Sequence, residues 1–325
     1  MKYRASVVVP TYRRPDLLAR CLTALFAQDA DPASYELIVV DDAASEETRQ
    51  QVECFAQQLP LCGPRLRYIA VKGRHGPALA RNTGWRAAQG EIIAFTDDDC
   101  IPQPCWLRVA VAAFVDGVVG VSGKIIVPSE GVPTDYEHNA ARLAYSEFVT
   151  ANCFYRRDEL EAVGGFDEQF TMAWREDSDL FFRLLERDGK LLVVPEAVVI
   201  HPVRPARWGI SLSQQRKSMF NALLYKKHPR MYRDRIQSAP PWHYYCIVGA
   251  ALLALFGLLL GAWPFALAAL CVWAVMTGWF CSLRLRHTSR LPRHVAEMIA
   301  TSLFIPPLAI YWRITGAIKF RVVFF

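Results

Sequence analysis

Ile92-Ile93-Ala94-Phe95-Thr96-Asp97-Asp98-Asp99 is an apolar run of strand length that stops in three consecutive carboxylates. A short uninterrupted apolar run bounded by polar residues reads as a strand buried on both faces. Working outward, Ser6–Pro10, Leu37–Val40 and Leu66–Val71 have the same character. Segments with helical spacing lie between these runs: Pro15–Ala27, Glu46–Gln57 and Pro77–Ala88, with Pro15 and Pro77 placed as first-turn prolines. Strands alternating with helices specify an α/β fold built on a mostly parallel sheet flanked by helices. Further along, Val118–Val127 reads as a buried strand, Glu176–Arg187 as a helix and Leu191–Ile200 as a strand, with Asp188-Gly189 turning between the last two.

In open α/β sheets, ligands bind beyond the carboxyl ends of the strands. Here those ends carry Pro10-Thr11-Tyr12-Arg13-Arg14, Asp41-Asp42 and Asp97-Asp98-Asp99. Five carboxylates gathered on one rim are costly unless a cation joins them. Oxygen ligands suit Mg²⁺ or Mn²⁺, and a divalent ion with open positions invites a diphosphate. Asp41-Asp42 has an equally good reading as a helix cap or turn former. Residues 97–108 lack the alternating ligands, Gly and terminal Glu of an EF-hand loop. No G-x-G-x-x-G and no G-x-x-x-x-G-K-[ST] occurs, so neither a dinucleotide site nor a P-loop is indicated.

The 325 residues are 53% hydrophobic, which excludes a disordered chain. The net charge of +6 hides an asymmetry: residues 1–200 hold 21 basic and 29 acidic side chains, residues 201–325 hold 16 and 2. A basic, apolar tail behind an acidic globular part suits a membrane surface and not nucleic acid. The nine cysteines form no C-x-x-C pair and no zinc-spaced cluster, so they read as reduced thiols of a cytoplasmic domain. The N-terminal apolar run is too short for a signal peptide, in keeping with that placement.

The character changes after about residue 205. Residues 206–243 form a basic amphipathic segment: in Ser211–Lys227, Leu212, Met219, Phe220, Leu223 and Leu224 share a helical face flanked by Arg216, Lys217, Lys226 and Lys227. This reads as an interfacial helix, the alternative being a surface helix packed on a core. Tyr244–Leu283 then runs 40 residues without a charge, divided by Gly261-Ala262-Trp263-Pro264. That is twice the roughly 20 residues a crossing needs, so 244–283 reads as a transmembrane hairpin. Basic flanks on both sides place both ends in the cytoplasm, at the inner face of the cell membrane. A third stretch in 284–325, Val295–Trp312, is interrupted by Pro306-Pro307 and followed by Arg313, Lys319 and Arg321. It either spans or re-enters; its basic end favours a cytoplasmic C-terminus and a re-entrant or interfacial segment.

Val7–Tyr12 (VVVPTY), Val39–Asp42 (VVDD), Ala78–Gly84 (ALARNTG) and Phe95–Asp99 (FTDDD) resemble, in order, the motifs of family 2 inverting glycosyltransferases. Asn152–Glu168 resembles the family's acceptor-side segment and Trp174–Arg183 (WREDSDLFFR) its Glu-Asp motif, so the likeness covers residues 5–203. The resemblance implies a GT-A catalytic domain over 1–205 that transfers a sugar from a UDP-, GDP- or dTDP-sugar. Pro10, Thr11 and Tyr12 would hold the base and ribose, Asp42 would accept from the base, and Arg81 would approach the diphosphate. Asp97–Asp99 match the D-x-D motif, with Asp97 nearer the ribose, Asp99 nearest the Mn²⁺ or Mg²⁺, and Asp98 able to share either task. Asp177 would be the general base, in the first turn of its helix where the dipole favours its ionised form; Glu176 or Asp179 are the exchangeable alternatives, and the bland reading makes Asp177 a helix cap. His201 is a metal contact or a structural histidine, Trp174 a sugar-stacking face or a core residue, and Gly164-Gly165 a tight turn with exposed backbone.

Two departures limit the likeness. The Q-x-x-R-W of processive synthases is replaced by Gln214-Gln215-Arg216-Lys217-Ser218, which points to non-processive transfer. Ala43-Ala44 stands where Gly-Ser is usual. A lipid-linked saccharide or glycolipid acceptor suits the tail. The alternatives are a sugar-nucleotidyltransferase, whose Gly-rich loop with a following Lys is missing, and an inactive membrane-tethered nucleotide-sugar-binding protein.

Overall fold

The apolar runs become strands whose partners explain their composition. In the computed structural model, which describes residues 2–58 and 63–324, β1 (Tyr3–Thr11) lies between β2 (Tyr35–Asp41) and β4 (Gly90–Phe95), and β3 (Arg65–Ala70) flanks β2, all parallel. Every residue of β2 is buried, as expected for a strand with helices on both faces. The eight-stranded order is β3-β2-β1-β4-β7-β6-β8-β5. The second half mixes directions. β7 (Cys153–Arg156) runs antiparallel to both β4 and β6 (Val118–Ile126), β6 is parallel to β8 (Lys190–Ile200), and the two-residue β5 (Ile101–Pro102) pairs antiparallel with β8. The sheet is therefore mostly parallel, with β5 and β7 the strands that sequence reading missed.

Helices α1 (Pro15–Phe26), α2 (Glu46–Gln58), α3 (Pro77–Ala87), α4 (Trp106–Ala112), α6 (Arg157–Val163) and α7 (Glu176–Leu185) belong to the same unit as the sheet. Pro15 and Pro77 do open α1 and α3. Gly84 is the point where α3 lies on β1 and β2. A Cβ there would overlap Val8 Cγ1 and come within 2.9 Å of Val40 Cγ2. Overpacking of this kind costs about 1–3 kcal/mol. Gly84→Ala is therefore expected to lower the urea midpoint at unchanged m-value.

Two compact units divide the chain: Met1–Pro128 with Arg142–Val203, and Ser129–Ala141 with Arg204–Phe325. The expected continuous 1–205 domain is thus interrupted, because α5 (Asp135–Ala141) groups with the C-terminal helices. The reason lies in its bonds. Asp135, 7% exposed, accepts from Arg284 at 2.8 Å, and Ser289 N–H donates to Pro133 O at 2.8 Å. Thr134 and Glu137 cap the helix reciprocally.

The second unit continues with α8 (Ile210–Gln214), a 3-10 turn at Gln215–Met219, α9 (Phe220–Lys227) and α10 (Pro229–Arg235). Ser211–Lys227 is thus a broken helix and not the single one expected. Met219, Phe220, Leu223 and Leu224 of its apolar face are buried inside the unit instead of facing lipid. α11 (Trp242–Leu259) and α12 (Trp263–Leu285) form the hairpin, turning at Gly261 with φ 69°. α13 (Pro292–Phe320) runs unbroken through Pro306 and Pro307. The expected interruption is absent, although each proline deletes one i→i−4 bond. α11, α12 and α13 are each long and apolar enough to cross a membrane. The cysteines among the described residues are free thiols; Cys62 lies outside them.

Candidate active site

The carboxyl ends of β1, β2 and β4 deliver Pro10–Tyr12, Asp42 and Asp97–Asp99, while α3 carries Arg81, α7 carries Glu176 and Asp177, and His201 follows β8, all within the sheet-bearing unit. Asp41 and Asp42 part ways. Asp41 is fully buried and accepts from Ala43 N–H at 2.9 Å, Ser45 N–H at 2.7 Å and Tyr68 OH at 3.0 Å, so it is the turn former. Asp42 stays at the rim, accepting from Gly76 N–H at 3.0 Å with the His75 ring 3.3 Å away. Burial raises its carboxyl above the ordinary value, and the Gly76 and His75 contacts oppose the rise.

Three consecutive residues cannot share one direction, and Asp97–Asp99 fan out. Asp97 accepts from Arg81 Nη2 at 2.8 Å. Asp98 is buried against β1, accepting from Thr11 Oγ1 at 2.8 Å and Arg14 Nη1 at 3.1 Å. Both its oxygens are occupied, so it acts as a brace that fixes Pro10–Arg14. Burial raises its carboxyl, against the pull of Arg14 and Thr11. Asp99 turns toward the end of β8, with Oδ1 3.4 Å from His201 Nε2.

Of the expected nucleoside contacts, Tyr12 is about half exposed with the Arg13 guanidinium 5.4 Å from its ring. Pro10 is half-buried, and the Thr11 hydroxyl is committed to Asp98. Arg81 differs most from expectation. It is 3% exposed and bridges two carboxylates, donating Nη1 to Glu176 Oε1 at 3.0 Å and Nη2 to Asp97 Oδ1 at 2.8 Å. Its guanidinium also faces the Phe166 ring at 5.9 Å. Burial alone would lower its pKa, but Asp97 and Glu176 more than reverse this and hold it charged.

Glu176 and Asp177 open α7 behind Arg175, whose φ of 77° lies in the left-handed region. That conformation is uncommon for a residue with a Cβ and marks a strained helix entry. Glu176 is buried, and its Oε2 has no hydrogen-bond partner among the described residues. Burial pushes its carboxyl up to about 7, with Arg81 opposing and Asp177 adding to the rise. Asp177 is half-buried; its Oδ1 accepts from Ser178 N–H at 2.6 Å and Ser178 Oγ at 3.3 Å. Burial raises this carboxyl too, and Ser178 N–H opposes. Asp179 is removed from the candidates for the base: it is fully buried and salt-bridged to Arg183 at 2.8 Å. Trp174 is 39% exposed with Arg175 4.7 Å from its ring, so it is not a core residue.

One carboxylate oxygen of Asp99, the Cys100 Sγ and a ring nitrogen of His201 lie within 4.8 Å of one another. Burial raises the Cys100 thiol well above its ordinary value. The carboxylate and the imidazole of this group are donors that suit a divalent cation.

The sequence profile described as Glycosyl transferase family 2 matches residues 6–180, more than half of the chain. The chain belongs to glycosyl transferase family 2. Within this family it is 27% identical over 211 residues to the glycosyltransferase AglE of Haloferax volcanii, covering 62% of this chain and 67% of that protein. It is 29% identical over 293 residues to the pre-mycofactocin glycosyltransferase of Mycobacterium tuberculosis, covering 84% of this chain and 56% of that one. The chain thus spans about half to two thirds of the length of these relatives. Among solved structures, the mannosyltransferase PcManGT of Pyrobaculum calidifontis, in complex with GDP-Man and Mn²⁺, aligns with a TM-score of 0.57 at 22% identity, over 99% of this chain and 88% of that one. Staphylococcus aureus TarS residues 1–349, in complex with UDP, aligns at 0.50 and 19%, over 96% and 92%. These likenesses show the GT-A fold.

Two residues of this family 2 site, Arg14 and Asn82, escaped sequence reading. Arg14 was visible only as part of a basic pair. Asn82 saturates all its bonding capacity, donating to Phe166 O and Glu168 Oε1 and accepting from Phe166 N–H and Trp85 Nε1, which fixes α3 to residues 165–168. An Asn inside a helix is a poor helix former and was the available signal. Gly164 and Gly165 end α6 in a left-handed turn, with Gly165 N–H donating to Leu160 O at 2.8 Å. A Cβ on Gly165 would meet Asn82 Oδ1 at 2.5 Å, so the turn seats against Asn82.

Proposed function

We propose that this chain is a membrane-anchored, inverting, non-processive glycosyltransferase that moves one sugar from a nucleotide-sugar to an acceptor at the cytoplasmic face of the cell membrane. The observation that carries the reading is the Asp97–Arg81–Glu176 bridge. A single buried guanidinium ties the acidic end of β4 to the helix that starts with Glu176-Asp177. Donor-side and base-side groups are thereby held in one rigid cluster.

In this reading Tyr12 stacks on the nucleoside and Asp42 accepts from an N–H edge of the base. Asp99 and His201 hold Mn²⁺ or Mg²⁺, which when bound neutralises the departing nucleoside diphosphate. Asp177 is the base. Glu176 is buried and ion-paired with Arg81, whereas Asp177 is half-buried and makes its hydrogen bonds to Ser178. As the acceptor oxygen bonds to C1 of the sugar, its proton passes to Asp177 and the C1–diphosphate bond breaks on the opposite face. The GDP-Man and UDP complexes of the structural neighbours support a nucleotide-sugar donor. A lipid-linked saccharide or glycolipid is the acceptor class that suits the C-terminal anchor.

The test is turnover of UDP-, GDP- and dTDP-sugars with and without Mn²⁺. Activity with one donor is expected, abolished by EDTA and by Asp99→Ala. Donor binding without turnover would favour an inactive tethered binding protein, and activity indifferent to EDTA would remove the metal from the reading. A reporter inserted in the turn Leu260–Ala262 is expected to read as non-cytoplasmic, the result that anchoring by the hairpin requires.

A further inference from the structure

α13 meets the length and composition of a third span, yet its neighbours are the wrong ones for a helix that crosses. Near its start, Glu297 Oε1 accepts from Gly209 N–H at 2.7 Å. One turn on, Thr301 and Ser302 accept from Arg284, which also reaches Ser211. Ile305 packs with Ile247 and Phe280, at the beginning of α11 and the end of α12. Trp312 then lies 5.8 Å from the Arg216 guanidinium, and Gly316 rests on the Met219 backbone. At the far end, Phe320 meets Phe220 with ring centroids 5.9 Å apart, and its carbonyl accepts from Lys226 Nζ at 2.8 Å.

Read in order, α13 keeps company with residues 209–226 along its whole length. That companion segment, continued to residue 235, contains Arg216, Lys217, Lys226, Lys227, Arg230, Arg233, Asp234 and Arg235. Such a segment stays out of hydrocarbon. Were α13 to cross, it would carry this charged partner with it. The outward side of α13 is of the opposite character. Ile299, Leu303, Pro307, Tyr311, Ile314 and Ile318 recur every three to four residues and are all exposed. They make one unpartnered apolar stripe. α13 crosses the α11–α12 hairpin at its open end, where Ile305 packs on Ile247 and Phe280.

We propose that α13 lies in the plane of the membrane interface, its Ile299–Ile318 stripe seated at the headgroup–acyl boundary of the leaflet from which the hairpin starts and its charged companions turned to water. The inference rests on the hairpin being membrane-embedded. It makes the anchor a hairpin plus a floating helix, with both α13 termini on one side. Bound in this way, the helix adds lipid contact in the leaflet where a glycolipid headgroup would be presented.

The test uses the 325-residue protein in liposomes, with the exposed cysteines Cys54, Cys246 and Cys271 replaced by serine. Nitroxides are placed singly at Ile299→Cys, Leu303→Cys, Tyr311→Cys, Ile314→Cys and Ile318→Cys, and at Leu255→Cys and Val272→Cys in the hairpin. Depth is read from relaxation by oxygen and by a water-soluble nickel chelate. The five α13 labels are expected at one shallow depth, about 5–10 Å below the headgroups, with the hairpin labels deeper. Depth that changes steadily from Ile299 to Ile318 across the bilayer overturns the proposal, as does a maximum between Leu303 and Tyr311 with both ends shallow. Labels on α13 that all read as water, while the hairpin labels stay deep, also overturn it. Hairpin labels that read as water overturn the anchoring itself, a separate result.

Discussion

Asp177→Asn is expected to reduce kcat for sugar transfer by about 10²–10⁴-fold, the range attributed to a positioned general base, with little change in the affinity for nucleoside diphosphate. The substitution keeps the shape and the Ser178 hydrogen bonds to Oδ1 but removes the proton acceptor. Glu176→Gln serves as the comparison, because Glu176 is fixed to Arg81 and its loss acts through the cluster. The pH profile carries a second signature. Burial raises both carboxyls, Glu176 to about 7 and Asp177 above its ordinary value. A base works deprotonated, so kcat/KM should climb with pH and level off once the pair has titrated. The two sites interact, so the rising limb belongs to the pair and not to one residue. In Glu176→Gln the carboxyl raised to about 7 is gone, and the limb that remains should lie at lower pH. Full activity in Asp177→Asn would take the base role from Asp177.

Arg81→Met should cost stability as well as activity. The guanidinium is 3% exposed and satisfies Asp97 and Glu176 together. Removing one partner of a buried ion pair costs about 3–5 kcal/mol, here because Glu176 is left buried without its cation. For a unit of this size each kcal/mol is worth about 2–4 °C, so a fall in Tm on the order of 10 °C is expected. Arg81→Lys should restore only part of it, since a single ammonium cannot span two carboxylates as a planar fork does. Arg81→Met with Glu176→Gln should lose less than the two single changes summed, and the cycle measures the coupling. A contact to diphosphate alone would predict something else: weaker nucleotide binding with Tm unchanged.

Much of the catalytic unit was legible because its strands are continuous apolar runs and its helices open on Pro15 and Pro77, signals that depend on local chemistry. The gathering of acidic residues followed from parallel strands ending on one side of a sheet. What failed was whatever depends on distant partners. β7 is four residues long and earns its place between β4 and β6 by pairing alone. Asp97, Asp98 and Asp99 are indistinguishable as letters, yet one bridges to Arg81, one braces β1 and one faces His201. The bridge from Arg81 to Glu176 spans 95 positions, and no short-range pattern announces it. Likewise the apolar face of Ser211–Lys227 was correctly seen as a face, but periodicity does not say whether lipid or α13 covers it.

The excursion Ser129–Ala141 has a bearing on how such a protein can be taken apart. Its Asp135 is sealed against Arg284, a residue far down the chain in α12. Shortening the polypeptide at residue 203 would strip that buried carboxylate of its cation. A soluble catalytic fragment would then call for redesign of the 129–141 loop, and any exchange of anchors between relatives would have to transplant that loop together with the helices it locks into.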